Sequence, residues 1–195
     1  LMVNVYQDER SQQIYNVIDK GRVMQQAFRG MTLLDYAINA SLVLSYVAMR
    51  KEDKAGLVTF DEHFDTFVPA SRQPGYMQTL LENLYSQQTT FGETDFSALC
   101  VHLNKHVSKR SLLVLYTNFS SIGSMNRQLA YLKQLNHRHR LLVVFFEDAD
   151  LKEYIAQPAK DTEGYYRHVI AEKFAYEKRL IVSTLKQHGI YSLLT

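Results

Sequence analysis

The chain has 195 residues, with 22 Lys and Arg against 20 Asp and Glu, so its formal net charge is +2. That length suits one domain, and a charge so near zero excludes a polyanion-binding surface legible from composition alone. The single cysteine, Cys100, excludes an internal disulfide and a multi-cysteine zinc site, which suits a reducing compartment.

The predicted elements alternate between strand and helix. Residues 12–18 read as a short buried strand ending at Asp19, followed by the turn-like Lys20-Gly21-Arg22. Thr32 with Asp35 three residues later makes a capping-box pattern. The helix it starts, residues 33–50, is apolar nearly all round, which predicts burial against a sheet. Residues 55–60 read as a second strand. Residues 64–70 form a third, joined through Asp61-Glu62-His63 and therefore antiparallel.

Residues 75–86 look helical, with Met77, Leu80, Leu81 and Leu84 on one stripe, and 89–95 form a polar loop. A helix over 96–107, a strand over 111–117 ending at Asn118, a helix over 125–136 and a strand over 141–146 follow. A long helix, 161–187, carries Tyr166, Ile170, Phe174, Ile181 and Leu185 along one side. Gly189 fits the position just past its end, and 190–194 read as a last strand. No apolar run approaches the roughly 18–20 residues that span a bilayer, and no signal-peptide pattern opens the chain.

Mostly parallel strands with helical crossovers imply an open, doubly wound α/β sheet covered on both faces. Ligands bind such sheets at the carboxyl ends of the strands. The informative segments are therefore 19–22, 89–95, 118–123 and 147–150. Asp19, an acid directly after an apolar strand, is the sharpest feature: it can coordinate Mg²⁺, act as a nucleophile, or cap neighbouring backbone N–H groups.

Several chemistries are tested by motif. No G-x-G-x-x-G follows the strand, no phosphate loop exists, and no G-x-S-x-G elbow is present. Asp19-x-Gly21-x-Val23 resembles the D-x-D-x-[TV] loop of haloacid-dehalogenase-type phosphatases, with acids at Glu147, Asp148 and Asp150. A Mg²⁺-dependent phosphohydrolase using Asp19 as nucleophile is thus the alternative reading, although Gly21 stands where its second aspartate belongs. His102 and His106 lie four apart on a helix, without the glutamate or third ligand of a zinc site, and read as a solvated face. The basic segments 105–110 and 137–140 are weak nucleic-acid signals, and no nucleic-acid partner is expected.

Taken in order, several stretches resemble one family. They are Tyr6-Gln7-Asp8-Glu9-Arg10-Ser11, Val17-Ile18-Asp19-Lys20-Gly21-Arg22-Val23-Met24 and Leu33-Leu34-Asp35-Tyr36-Ala37-Ile38-Asn39. Lys54-Ala55-Gly56-Leu57-Val58-Thr59-Phe60 and Leu115-Tyr116-Thr117-Asn118-Phe119 complete the set. The chain resembles, over essentially its whole length, the von Willebrand factor A-like domains of the bacterial domain-of-unknown-function-58 family, in its Bacteroidetes branch.

The resemblance implies a Rossmann-like, A-type open sheet, mostly parallel with one antiparallel edge strand and helices on both faces. Residues 1–195 are then a single A-like domain, the C-terminal part of a longer chain. Such domains carry a metal-ion-dependent adhesion site built from D-x-S-x-S, a threonine and a later aspartate. Here Asp19 matches the first aspartate, Gly21 and Val23 replace the serines, Thr94 supplies the threonine, and Asn118 replaces the later aspartate.

A degenerate site with weak or no Mg²⁺ binding is expected of Asp19, Thr94 and Asn118. The expected partner-binding crevice comprises Asp19, Lys20, Gly21, Arg22, Thr94 and Asn118, with Arg22 paired to Asp19 in the absence of metal. The resemblance further implies a non-enzymatic protein-interaction module without a cofactor. Its expected partner is a MoxR-type AAA+ ATPase, acting in assembly or maturation of other proteins. The expected location is the cytoplasmic domain of a protein anchored in the inner membrane by segments outside this chain.

Overall fold

A computed structural model describes residues 11–147, 149–158 and 161–195. The resembling stretch 6–10 and Asp148 lie outside the described residues. The chain runs β1 (Gln13–Asp19), a 3-10 turn (Arg22–Met24), β2 (Ala27–Phe28), β3 (Met31–Thr32), α1 (Leu33–Arg50), β4 (Lys54–Phe60) and β5 (Phe64–Ser71). It continues through α2 (Tyr76–Tyr85), α3 (Phe96–His106), β6 (Leu112–Tyr116), α4 (Ile122–Arg138), β7 (Arg140–Phe145), α5 (Ala149–Ala156), α6 (Thr162–Gln187) and β8 (Tyr191–Leu194).

Six strands form one sheet in the order β5-β4-β1-β6-β7-β8. Only β5 runs antiparallel, paired to β4 at the edge; β4, β1, β6, β7 and β8 are parallel. This is the expected open sheet with one antiparallel edge strand. The central strands β1 and β4 are buried from their second residue onward, as a sheet covered on both faces requires. On one face α3, α4 and α6 supply Leu99, Leu103, Met125, Leu132, Ile181 and Leu185 to the core. On the other, α1 and α2 supply Leu33, Leu34, Ala37, Ala48, Leu80 and Leu84.

The capping box at the start of α1 is present. The Thr32 hydroxyl accepts from Asp35 N–H, and Asp35 accepts from Thr32 N–H at 2.8 Å. The packing of α1 differs from the expectation of an all-apolar buried helix. Its buried face carries the small residues Ala37, Ser41, Ser45 and Ala48, whereas Val43, Tyr46 and Val47 face solvent. Small side chains let the helix approach the sheet closely enough for Asn16 of β1 to reach it. Asn16 Nδ2 donates to Ser45 Oγ at 2.9 Å and to the Ser41 carbonyl at 3.3 Å, and Tyr116 OH donates to Asn16 Oδ1. A buried amide is tolerated because its groups find partners.

The long helix differs similarly. Ile181 and Leu185 are buried, but Tyr166, Ile170 and Phe174 are exposed; the first half of α6 meets α5, where the Tyr154 hydroxyl donates to the Gly164 carbonyl and its ring lies 5.9 Å from that of His168. Two elements were not anticipated. The β2–β3 hairpin turns through Arg29 and Gly30, both at positive φ, as a two-residue primed turn demands. Helix α5 begins where the sequence showed only acids after a strand. Among the described residues, no helix is long and apolar enough to cross a membrane.

Candidate functional site

The chain moves outward from β1 to β4 and β5 in one direction, and from β6 to β7 and β8 in the other. A crevice therefore opens at the carboxyl ends of β1 and β6, where crossovers diverge to opposite sides. Asp19 ends β1 there and Thr117 follows β6. The register Ile18↔Tyr116 makes the two neighbours.

Asp19 is wholly buried. Its Oδ1 accepts from Gly21 N–H and from Thr94 Oγ1, each at 2.8 Å, and its Oδ2 accepts from Thr117 Oγ1 at 2.6 Å. Burial pushes this carboxyl above the usual carboxylate range, and the nearby Asp61 adds to it; the bonds from Thr117, Gly21 and Thr94 oppose the rise. A carboxyl raised in this way contributes stability at low pH that is lost as pH rises through its folded value. Its ionised form is the costly one, and the three donors reduce that cost.

Gly21 has an ordinary φ of −75°, so backbone freedom does not explain the glycine. Space does. A Cβ built there would lie 1.9 Å from Thr94 Oγ1, 3.0 Å from Asp19 Oδ1 and 3.2 Å from the Gly92 carbonyl. The volume that a serine side chain would enter is filled by the Thr94 hydroxyl. The 89–95 loop is fastened over this point by Arg22 N–H to the Gly92 carbonyl and by Thr89 Oγ1 to the Lys20 carbonyl.

The remaining expected residues divide. Arg22 reaches Glu93 at 3.0 Å, not Asp19, because Asp19 is sealed beneath the loop while both Arg22 and Glu93 stand in solvent. Lys20 is turned away from the crevice. Side chains alternate along an extended strand, so the residue after Asp19 faces the other side of the sheet. There its buried ammonium meets Asp65 Oδ2 at 2.6 Å and the Gln88 carbonyl at 3.1 Å. Asn118 stays: its Oδ1 accepts from Phe119 N–H at 3.0 Å and from the Lys178 ammonium, which also donates to the Phe119 carbonyl.

Asp19, Thr94 and Asn118 thus border one small cavity of about 100 Å³, with Arg22 and Val23 at its edge. Its other wall begins at Ser120, within the strand-end segment 118–123, and continues through Ser124, Arg127 and Gln128 of the first turns of α4, of which sequence reasoning missed the last three; the capping serine Ser121 signals where that helix starts. Lys178 had no local signal, since it arrives from α6, 60 residues away from Asn118.

The other sequence features are placed elsewhere. Glu147 pairs with Lys152 at 3.1 Å. His102 and His106 stack on Phe64 with ring centroids 4.5 and 5.9 Å away, so this face of α3 stays at the surface, with His106 exposed and His102 half-buried against the antiparallel edge strand. Among the described residues, no group of three or more His, Cys, Asp or Glu could share a metal ion.

Comparison with known proteins gives a consistent picture. The family description "protein of unknown function DUF58" matches residues 1–154. An aerotolerance-related membrane protein from Bacteroides fragilis superposes with a TM-score of 0.52 at 15% identity, covering 69% of this chain and 67% of that one. BatB from Bacteroides thetaiotaomicron gives 0.51 at 12% identity, covering 70% and 67%. The SpRpn10 VWA domain gives 0.50 at 11% identity, covering 71% and 76%. At such identities the likeness is one of fold: a von Willebrand factor A-type sheet. No curated protein matches the chain.

Proposed function

The chain belongs to the DUF58 family, and on that premise we propose that it is a non-enzymatic protein-interaction module whose crevice docks a partner without a metal. The observation that carries this reading is the filling of the Gly21 volume by the Thr94 hydroxyl, bonded to a wholly buried Asp19. Mg²⁺ favours near-octahedral oxygen ligands, including one or two carboxylates. The three expected ligands Asp19, Thr94 and Asn118 supply one carboxylate, one hydroxyl and one amide, and the Lys178 ammonium already bonds the amide oxygen. This set does not fit a resident Mg²⁺. The adhesion site is degenerate, and a protein cation sits beside it.

The same geometry speaks against the phosphohydrolase. A nucleophilic carboxylate needs an open line to phosphorus, and the residue two positions on must serve the leaving group as acid and base. Asp19 is buried with both oxygens hydrogen-bonded, and Gly21 has no side chain to offer. What the crevice offers a partner is polar: Arg22 and Glu93 at one rim, and Ser120, Ser124, Arg127 and Gln128 at the other. Charged rims of this kind set partner choice and association rate. The resemblance points to a MoxR-type AAA+ ATPase as partner, in assembly or maturation of other proteins. It also points to a parent chain held at a membrane with this domain in the cytoplasm.

Isothermal titration of Mg²⁺ and of Mn²⁺ into chelator-treated protein tests the metal-free part. No heat is expected with either ion, and Asp19→Ala is expected to give the same trace. Binding at sub-millimolar affinity that Asp19→Ala abolishes would restore the metal-bridged reading.

A further inference from the structure

The two basic segments that composition left without a role, 105–110 and 137–140, converge at the pole of the sheet opposite the crevice. Register explains how. Gln13 pairs with Lys54, Ile14 with Leu112, and Leu112 with Arg140, so the starts of β4, β1, β6 and β7 lie side by side. Three strand spacings set Lys54 and Arg140 about 14 Å apart at the backbone. The loop entering β6 places Lys109 and Arg110 between them, and all four border one cavity of about 400 Å³.

Among the described residues, none of Lys54, Lys109 and Arg110 makes an ion pair. The neighbouring carboxylate, Asp53, accepts from Gln12 N–H at 2.8 Å. Arg140 lies with its guanidinium over the Tyr191 ring at 5.4 Å, a contact that leaves its N–H fork free to donate in the guanidinium plane. The Ser11 hydroxyl, at the cavity wall, is buried without a hydrogen-bond partner among the described residues. His139, wholly buried just behind, is held below the usual imidazole range by burial and then by the charges of Arg138 and Arg110, which reports the positive field there.

We propose that the cavity bordered by Lys54, Lys109, Arg110, Arg140 and Ser11 binds a phosphate group. Two guanidinium and two ammonium groups border one cavity among the described residues. They suit the several oxygens and higher charge of phosphate, with the Ser11 hydroxyl as a neutral donor. The site is independent of the crevice, which lies at the other end of the strands.

The phosphate has two sources to separate, free anion and lipid headgroup. Inorganic phosphate is titrated calorimetrically at about 50 mM salt, and the protein is sedimented with phosphatidylcholine vesicles with and without phosphatidylglycerol. Binding to either probe is expected to weaken as salt rises, to fall at least tenfold in Lys109→Glu/Arg110→Glu, and to persist in Arg127→Glu at the crevice. Circular dichroism of the variants guards against loss of fold. Heat with phosphate assigns a free anion; co-sedimentation only with phosphatidylglycerol assigns a headgroup. Binding of neither probe, binding indifferent to the charge reversal, or preference for a DNA oligonucleotide would overturn the proposal.

Discussion

Asp65→Ala is expected to destabilise the fold by about 2–3 kcal/mol, whereas Lys20→Met is expected to cost less than about 1 kcal/mol. The asymmetry follows from burial. The Lys20 side chain is only 3% exposed, while that of Asp65 is 46% exposed. Removing the aspartate strands an ammonium whose other partner is the Gln88 carbonyl. Removing the lysine charge leaves a carboxylate that water can reach and that Thr59 and Thr66 still serve with hydroxyl donors. Breaking a fully buried pair costs about 3–5 kcal/mol, and the half-exposed aspartate places this pair at or below the low end.

The pH dependence has a definite sign. Hydrogen bonding to Lys20, and then its charge, hold the Asp65 carboxyl below the usual carboxylate range against some desolvation. Its contribution is therefore present above the unfolded carboxylate pKa and is lost as pH falls through the folded value. Urea unfolding at neutral pH and again below the carboxylate range checks both parts. Equal losses in the two variants, or an Asp65→Ala loss that does not shrink in acid, would contradict this account. The pair matters to the site because Lys20 anchors the turn that presents Gly21, Arg22 and Val23.

Gly21→Ala is expected to cost about 2 kcal/mol, the scale of one hydrogen bond to a charged group. The new methyl would displace the Thr94 hydroxyl from Asp19. Thr94→Ala removes the same bond directly and should cost a similar amount. The informative result is the combination. With the hydroxyl gone, the obstacle closest to the new Cβ is gone too, so Gly21→Ala/Thr94→Ala should cost little more than Thr94→Ala alone. A double-mutant cycle by urea unfolding therefore gives a coupling of about 2 kcal/mol. Additive losses would mean that the glycine is required by something other than the threonine, with the Gly92 carbonyl at 3.2 Å the next candidate.

The elements that carry the fold were legible because each had a local cause. Buried strands read as short apolar runs, α1 by its capping box, and the end of α6 by Gly189, which does take a positive φ. Asp19 was legible as a strand-end acid from the alternation of strand and helix, which also marked the segments holding Thr94 and Asn118; the family resemblance singled out those two residues. What escaped the sequence depends on tertiary distance. Apolarity placed Val43, Tyr46 and Val47 in the core, yet close approach of α1 to the sheet selected serine and alanine for the buried face. Formal charge paired Arg22 with Asp19, yet the loop sealed the carboxylate and left Glu93 within reach. Strand alternation carried Lys20 away, and Lys178 came in from α6.

On the proposed reading, the crevice binds a protein partner without a metal bridge. The most direct test of that reading is the affinity for a MoxR-type AAA+ ATPase from the same organism, measured in excess chelator and again in Mg²⁺, alongside Arg127→Glu. Equal affinity in both buffers and at least a tenfold loss in the variant are expected, since Arg127 borders the crevice. Binding that appears only with Mg²⁺, or that Arg127→Glu leaves unchanged, would contradict the proposed reading.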